Sequence, residues 1–243
     1  MRKKICIALI CSMFFVSSTL DAFAATNTPA LDNADILDGG ISNSEHEKEF
    51  DNTIKYIYAL RKKGLSFKEI DKLLECENDS KSKITFKVTS KSPSALFYNY
   101  TTLNTSEKKL FKKNKAKGLL CLANGKLALN YSQDLYEKSV LHNGNGDAFR
   151  HTLWNYGMAI DVGQSFAKKW ADAHENGAKG QPKLEKKMDL YNNKIGRGLA
   201  KTYPHTINHS TFKKNSWAKV RAGKCRIIKD KKLVKSSKKG EKK

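Results

Sequence analysis

The residues that could carry out chemistry are concentrated between His142 and Arg197. This region contains three blocks, HNGNGDAFRHTLWNYGM, FAKKWADAHENG and MDLYNNKIGRG, whereas the segments around it are mainly lysine with scattered apolar residues. Imidazole, carboxylate, guanidinium and amide groups together can transfer protons, bind a divalent cation or stabilise an anion. The question of function is therefore a question about these three blocks.

The first block predicts a helix that begins near Asp147. Its HNGNG loop tolerates unusual backbone dihedrals, and an aspartate in the first turn complements the helix dipole. Asp147 and His151 are four residues apart and share one helix face, with Arg150 beside them. Trp154 and Asn155 follow on the same helix. Taken singly, Asp147 could be only a cap and His151 only its surface partner.

The second block predicts a helix that carries His174 and Glu175. Phe166, Trp170 and His174 recur at four-residue steps, which turns His174 toward the core or a pocket wall. A lone histidine on an apolar stripe is more often a core residue than a ligand. No second histidine lies four residues further on, so the zinc-protease motif HExxH is not formed here.

The third block predicts a helix whose inner side is partly polar. One face carries Met188, Asn192, Ile195 and Leu199, and one step round it lie Asp189, Asn193 and Arg197. A buried asparagine needs hydrogen-bond partners, so this helix is expected to join a polar network.

Together the blocks predict one polar centre shared by three helices, because inward polar groups destabilise a bundle unless they satisfy one another. The candidate catalytic residues are His151, Asp147, Asp189, Arg150 and Glu175. The candidate binding residues are Asn155, His174, Asn192, Asn193 and Trp154. If the centre holds a divalent metal ion, the candidate ligands are Asp147, His151, His174 and Asp189, and Glu175 would act as base.

The three blocks resemble an uncharacterised bacterial domain found in exported proteins and in the C-terminal parts of toxin-like proteins. The resemblance covers about residues 103–201 and rests on GDAFRHTLWN, AKKWADAHE and MDLYNN with a following Gly-Arg. It implies that the blocks form one module, and it brings no established activity with it. The residues that match the family pattern are Asp147, Arg150, His151, Trp154, Asn155, His174, Glu175, Asp189, Asn192 and Asn193.

The rest of the chain predicts a mainly α protein, a helical bundle with at most one short β element. Capping boxes and helical periodicity place a helical hairpin plus an extended linker in residues 44–102, and KITFKVT at residues 83–89 has the alternation of a strand. Residues 103–212 are expected to form the main helical domain. Residues 213–243 read as a basic, largely disordered tail.

The N-terminus predicts export. A positive start, an apolar run from Ile5 to Val16 and the Ala22-Phe23-Ala24 site are typical of a signal peptide over residues 1–24, with cleavage near Ala24. Residues 25–43 read as a disordered leader. We therefore expect a secreted or envelope-associated protein.

The formal charge of +22 favours anionic partners. Cleavage would remove three basic residues and one acidic residue and would leave +20. We expect the lysine-rich tail to contact an anionic polymer or membrane surface, and no protein partner is indicated. The segment LRKKGLSFKEIDKLL resembles half of a helix-turn-helix unit, but the acidic, loop-like ECENDSKSK follows it, which argues against sequence-specific DNA binding. Of Cys76, Cys121 and Cys225, at most one pair can form a disulfide.

Two functions fit these observations. The first is an exported hydrolase acting on an anionic ester or phosphodiester, with His151 as general base oriented by Asp147 or Asp189, and Arg150 or an asparagine stabilising the anionic transition state. The second is a non-enzymatic envelope or anionic-polymer binding module whose polar network is structural. A divalent metal cofactor is left open.

Overall fold

The structure, a computed structural model, describes residues 45–76, 103–178, 180–205 and 208–242. The predicted signal peptide, leader and strand at residues 83–89 lie outside these ranges. Within them the protein is mainly helical, which confirms the predicted fold class. The helices are α1 Glu45–Lys62, α2 Phe67–Cys76, α3 Thr105–Lys113, α4 Lys115–Leu135, α5 Asn145–Asp161, α6 Gln164–Gly177, α7 Lys183–Thr202 and α8 His209–Arg221, and the strands are β1 Arg226–Lys229 and β2 Lys232–Lys235.

Helices α1 and α2 form the short hairpin that the capping boxes predicted. Ser66 and Glu69 cap the start of α2 reciprocally: the backbone N–H of Ser66 donates to Glu69 Oε2 (2.7 Å) and that of Glu69 to Ser66 Oγ (3.3 Å). Ile57 and Ile70 are fully buried where the hairpin meets the bundle.

Helix α5 is the centre of the bundle. Nearly every one of its residues is buried, and it packs against α4, α6, α7 and α8. A helix that is buried on all sides turns its polar side chains toward other helices rather than toward water. The polar residues Asp147, His151 and Asn155 of the first sequence block are therefore interior.

A glycine brings α7 unusually close to α5. A Cβ atom built on Gly196 would lie 2.1 Å from the backbone oxygen of Thr152, so no other residue fits without moving the helices apart. This close approach lets short side chains on α5 and α7 hydrogen-bond directly.

The C-terminal segment is folded, so the predicted disordered tail was wrong for residues 213–242. Val220 and Cys225 are fully buried, and β1 and β2 pair as an antiparallel hairpin. The chain then returns to the end of α4, where the N–H of Lys242 donates to the backbone oxygen of Leu135 (2.9 Å). Most lysines of this segment are exposed, whereas Ser236 is buried and its hydroxyl donates to the backbone oxygen of Val220 (2.8 Å).

Two further observations concern the remaining sequence predictions. Among the described helices, none combines the length and the apolar character that crossing a bilayer requires. Cys121 and Cys225 are both buried free thiols.

Candidate functional site

Seven of the predicted residues meet in one cluster, which we call the polar centre. It consists of Asp147, Arg150, His151 and Asn155 on α5, Glu175 on α6, and Asp189 and Asn193 on α7. All of them are buried except Arg150, whose side chain keeps 18% of its exposure. The prediction that the three blocks share one site agrees with this geometry.

The loop before α5 fixes Asp147. Asn143 adopts a left-handed backbone conformation (φ 60°), and its N–H donates to Asp147 Oδ2 (2.7 Å). The other carboxylate oxygen, Oδ1, accepts from Arg150 Nη2 (2.5 Å). Asp147 therefore presents Oδ1 to the interior while Oδ2 is held by the backbone.

Asn193 orients the His151 imidazole. The Asn193 amide nitrogen donates to Glu175 Oε1 (3.0 Å), and its Oδ1 accepts from Asn155 Nδ2 (2.7 Å). Because Oδ1 can only accept, the His151 Nδ1 atom 3.1 Å away carries the proton that it receives. The sequence predicted that an aspartate would hold this ring, whereas the structure gives that place to an asparagine.

The second ring nitrogen of His151 faces two carboxylates. His151 Nε2 lies 3.5 Å from Asp147 Oδ1 and 3.3 Å from Asp189 Oδ1. One ligand atom from each of these three residues can be chosen so that all lie within 4.8 Å of one another. Arg150 Nη2 stands beside them, 2.8 Å from Nε2. The three side chains could hold a metal ion, and the lone pair of Nε2 could accept a proton.

Gln181, in the loop between α6 and α7, belongs to the centre although the sequence did not indicate it. Its amide nitrogen donates to Asp189 Oδ2 (2.8 Å) and to Glu175 Oε2 (3.2 Å). Asp189 Oδ1 is buried and has no hydrogen-bond partner. Gln181 lies in no periodic segment, so nothing local distinguishes it from a loop glutamine.

Arg197 closes the network on the far side of Asn155. Its Nη1 atom donates to Asn155 Oδ1 (2.6 Å), which completes the amide's partners. The sequence placed Arg197 on the same helix side as Asp189 and Asn193, and that periodicity was the signal that could have identified it.

Burial and neighbouring charges shift the pKa values of His151, Asp147 and Asp189 in different directions. Burial, and then the positive charge of Arg150, lowers the pKa of His151 to about 4, so the ring is neutral near pH 7. Burial alone would raise the pKa of Asp147, but Arg150 and His151 hold it below its usual value. Burial, Glu175 and Asp147 raise the pKa of Asp189 well above its usual value. Within the described part of the chain, the centre thus has three carboxyl groups beside the single guanidinium of Arg150.

His174 and Trp154 lie outside the centre. His174 Nδ1 pairs with Glu107 Oε1 (2.9 Å), and Glu107 also caps α3 through the backbone of Asn104 (2.8 Å). The Trp154 ring packs edge-on against both imidazoles, with centroids 6.2 Å from His151 and 5.1 Å from His174. The structure therefore does not bring His174 to the group of candidate ligands formed by Asp147, His151 and Asp189.

Asn192 is also buried, but it serves the C-terminal hairpin. Its amide donates to the backbone oxygen of Arg226 and accepts from the N–H of the same residue, both at 2.9 Å. Asn192 and Asn193 are neighbours in sequence and point about 100° apart around α7. The sequence placed both in one network, and the structure separates them.

Residues 108–224 match the family model described as Domain of unknown function (DUF6973). The match confirms the resemblance to an uncharacterised domain family, and it contains the whole polar centre. No curated protein and no solved structure matches the chain. Function has to be argued from the centre itself.

Proposed function

We propose that the protein is an exported hydrolase whose polar centre cleaves an anionic ester or phosphodiester, such as one in a phospholipid, a nucleic acid or an envelope polymer. The observation that carries this proposal is the fixed His151 imidazole, whose Nε2 atom faces Asp147, Asp189 and Arg150. Preorganised groups of this kind activate water and stabilise developing charge without rearranging during the reaction.

Arg150 is the member of the centre that substrate would meet first. It is the partly exposed one, and its guanidinium can bind two anionic oxygens of an ester or phosphate in parallel. Water activation at the same place has two possible sources: the Nε2 atom of His151, or a cation held between His151, Asp147 and Asp189. Whether His151 or a cation activates the water, the reacting water would lie further into the interior than Arg150.

Export is supported by the sequence alone. The three basic residues at the start, the apolar run from Ile5 to Val16 and the Ala22-Phe23-Ala24 site are the supporting features. Extracellular fractionation of the native host, with N-terminal sequencing, tests this part: a mature chain beginning close to Ala25 supports it, and a chain retaining Met1 in the cytoplasm contradicts it.

The hydrolase proposal is tested with a chromogenic phosphodiester, anionic phospholipid vesicles and RNA as substrates. We expect His151→Ala to lower kcat/KM by about 100-fold or more on the substrate that the wild type cleaves. His174→Ala is the matched control, because it removes an imidazole outside the centre, and its rate is expected to stay within about tenfold of the wild type. A folded His151→Ala variant with the wild-type rate would rule the proposal out.

A second candidate function is binding to an anionic polymer or membrane surface. It is favoured by the exposed lysines of the C-terminal hairpin and the chain after it, which are Lys229, Lys231, Lys232, Lys235, Lys238 and Lys239. Because the hairpin is folded, these charges are held on a fixed surface rather than on a free arm. Replacing three of them with glutamate should weaken binding to phosphatidylglycerol vesicles in a salt-dependent manner. Unchanged binding would exclude this surface.

A further inference from the structure

We propose that Asp147, His151 and Asp189 form a binding site for one divalent transition-metal ion of the Zn²⁺ or Mn²⁺ class. The inference deepens the proposed function by naming the group that activates water, and it rests on that function for its catalytic use. The binding itself rests on the geometry and the charge of the three side chains.

The spacing of the ligand atoms fits a metal ion. An ion with bonds of about 2.1 Å to tetrahedrally arranged oxygen and nitrogen ligands holds those ligands about 3.4 Å apart. His151 Nε2 lies 3.5 Å from Asp147 Oδ1 and 3.3 Å from Asp189 Oδ1. Both distances match this spacing, and one ligand atom from each of the three residues can be chosen so that all lie within 4.8 Å of one another.

The hydrogen bonds around the ligands have the form of a second coordination shell. Asn193 fixes the His151 proton on Nδ1, which leaves the Nε2 lone pair for a cation. Asn143 holds Asp147 Oδ2 and Gln181 holds Asp189 Oδ2, so in both aspartates the outer oxygen is bonded and the inner one is turned inward.

An unpartnered buried oxygen is the second, independent observation. Asp189 Oδ1 accepts no hydrogen bond, although its side chain is only 8% exposed and the atom lies 3.3 Å from His151 Nε2. When Asp189 is ionised, no hydrogen lies between these two atoms and their lone pairs repel each other. A cation between them turns this repulsion into two coordination bonds.

The charge of the surrounding side chains also favours a bound cation. Among the residues that the structure describes, Arg150 is the guanidinium that interacts with Asp147, Glu175 and Asp189, since Arg197 contacts the Asn155 amide instead. Buried carboxylates that outnumber their cations destabilise the fold. A divalent ion would balance the excess, and a site of one imidazole and two carboxylates suits Zn²⁺ or Mn²⁺ better than Ca²⁺.

Arg150 controls access to this position. Its Nη2 atom lies 2.5 Å from Asp147 Oδ1 and 2.8 Å from His151 Nε2, next to where the ion would sit. An entering ion displaces this nitrogen, and the partly exposed Arg150 side chain can turn outward. There it would face a substrate anion bound to the open coordination positions of the metal.

The test is metal binding by the chelator-treated, dialysed full-length protein, measured by elemental analysis and calorimetry with Zn²⁺ and Mn²⁺, and with Ca²⁺ for comparison. We expect one equivalent of Zn²⁺ or Mn²⁺ per chain, and a thermal unfolding midpoint raised by about 5 °C or more. Asp189→Asn should weaken this binding by about 100-fold or more. Asp172→Asn, which changes an aspartate paired with Lys168 on α6, should leave it unchanged.

The Asp189→Asn variant is expected to fold, because it is nearly isosteric and removes one of the excess charges. Its unfolding midpoint in chelator should equal or exceed that of the wild type. The inference is overturned if the wild type binds no stoichiometric ion, or if Asp189→Asn binds as tightly as the wild type.

Failure of this inference and failure of the hydrolase proposal give different results. If no metal binds but His151→Ala still abolishes hydrolysis, His151 acts as the base and only the metal inference fails. If a metal binds stoichiometrically but no ester or phosphodiester is cleaved, the site stands and the hydrolase proposal fails.

Discussion

An aspartate lies near each end of helix α5, and the two differ in burial and in the charge around them: Asp161 at the C-terminal end is only partly buried, whereas Asp147 near the N-terminal end is buried. At the C-terminal end, Asp161 Oδ2 accepts from the Tyr58 hydroxyl (2.7 Å) and from Asn124 Nδ2 (2.6 Å); we call these three residues the Asp161 cluster. It contains a single carboxylate and neutral donors supplied by α1 and α4. In the polar centre, three carboxylates converge on one guanidinium, and one of their oxygens has no partner.

This difference separates a structural cluster from a candidate functional one. The Asp161 cluster ties the N-terminal hairpin to the bundle, and each of its bonds serves that attachment. The polar centre keeps unbalanced charge and an inward lone pair, which add nothing to folding and are useful only if a cation or substrate arrives.

The largest effect is expected on hydrolysis when one aspartate is changed at each end. Asp189→Asn removes a proposed metal ligand and should lower kcat/KM by about 100-fold or more, whereas Asp161→Asn should stay within about tenfold of the wild type. Steady-state kinetics on the best substrate measure both. Equal losses would mean that the two carboxylates play the same, structural role.

The next effect concerns the close approach of α5 and α7. Gly196→Ala places a methyl group against the Thr152 backbone oxygen and should lower the free energy of unfolding by about 1–3 kcal/mol, with loss of metal binding. Gly198→Ala on the same helix is the control, since a Cβ there meets nothing within 4 Å; it should raise stability by about 0.5–1 kcal/mol. Chemical denaturation gives both values. If Gly196→Ala were as stable as the wild type and bound metal, the helix spacing would not matter.

The pH dependence of stability tests the Asp161 cluster. Burial raises the pKa of Asp161 to about 6, against the smaller opposing effect of its two hydrogen bonds. The folded state therefore holds this proton more tightly than the unfolded state, so the contribution is greatest below pH 4 and is lost as pH rises through about 6. Relative to Asp161→Asn, the wild type should lose about 1–2 kcal/mol between these pH values. A constant difference between the two proteins would contradict the assignment.

The smallest effect is expected at His174. His174→Ala removes its contacts with Glu107 and Trp154 and should lower the free energy of unfolding by about 1 kcal/mol or less, because the imidazole is 32% exposed. Metal binding should be unchanged. A loss of bound metal in this variant would restore His174 as a ligand and change the geometry proposed for the site.

Local spacing was enough to predict much of the polar centre. Asp147 and His151 are four residues apart, so helix geometry places both on one face of α5. The periodicity of α7 likewise places Asp189 and Asn193 on one side of that helix. What spacing could not give was the distance between helices. That distance depends on Gly196, whose role is visible only when the Thr152 backbone lies against it.

The errors have a common physical cause, which is partners distant in sequence. The tail was expected to be disordered because its lysines dominate its composition, but Asn145 holds it by accepting from the Ser237 N–H (2.9 Å) and donating to the Lys239 oxygen (2.8 Å). Asn192 was assigned to the site because its true partner was not visible in the sequence. That partner, Arg226, lies in a hairpin that the composition did not indicate. Gln181 can be recognised as part of the centre only once the fold brings it into hydrogen-bond contact with Glu175 and Asp189.

The most direct test of the contrast between the two clusters is anomalous diffraction from crystals soaked in Mn²⁺ or Zn²⁺. We expect one strong peak at about 2.0–2.2 Å from Asp147 Oδ1, His151 Nε2 and Asp189 Oδ1, with the Arg150 guanidinium turned outward and no peak beside Asp161. A structure in which Arg150 stays against Asp147 and His151 and no ion enters the polar centre would contradict it.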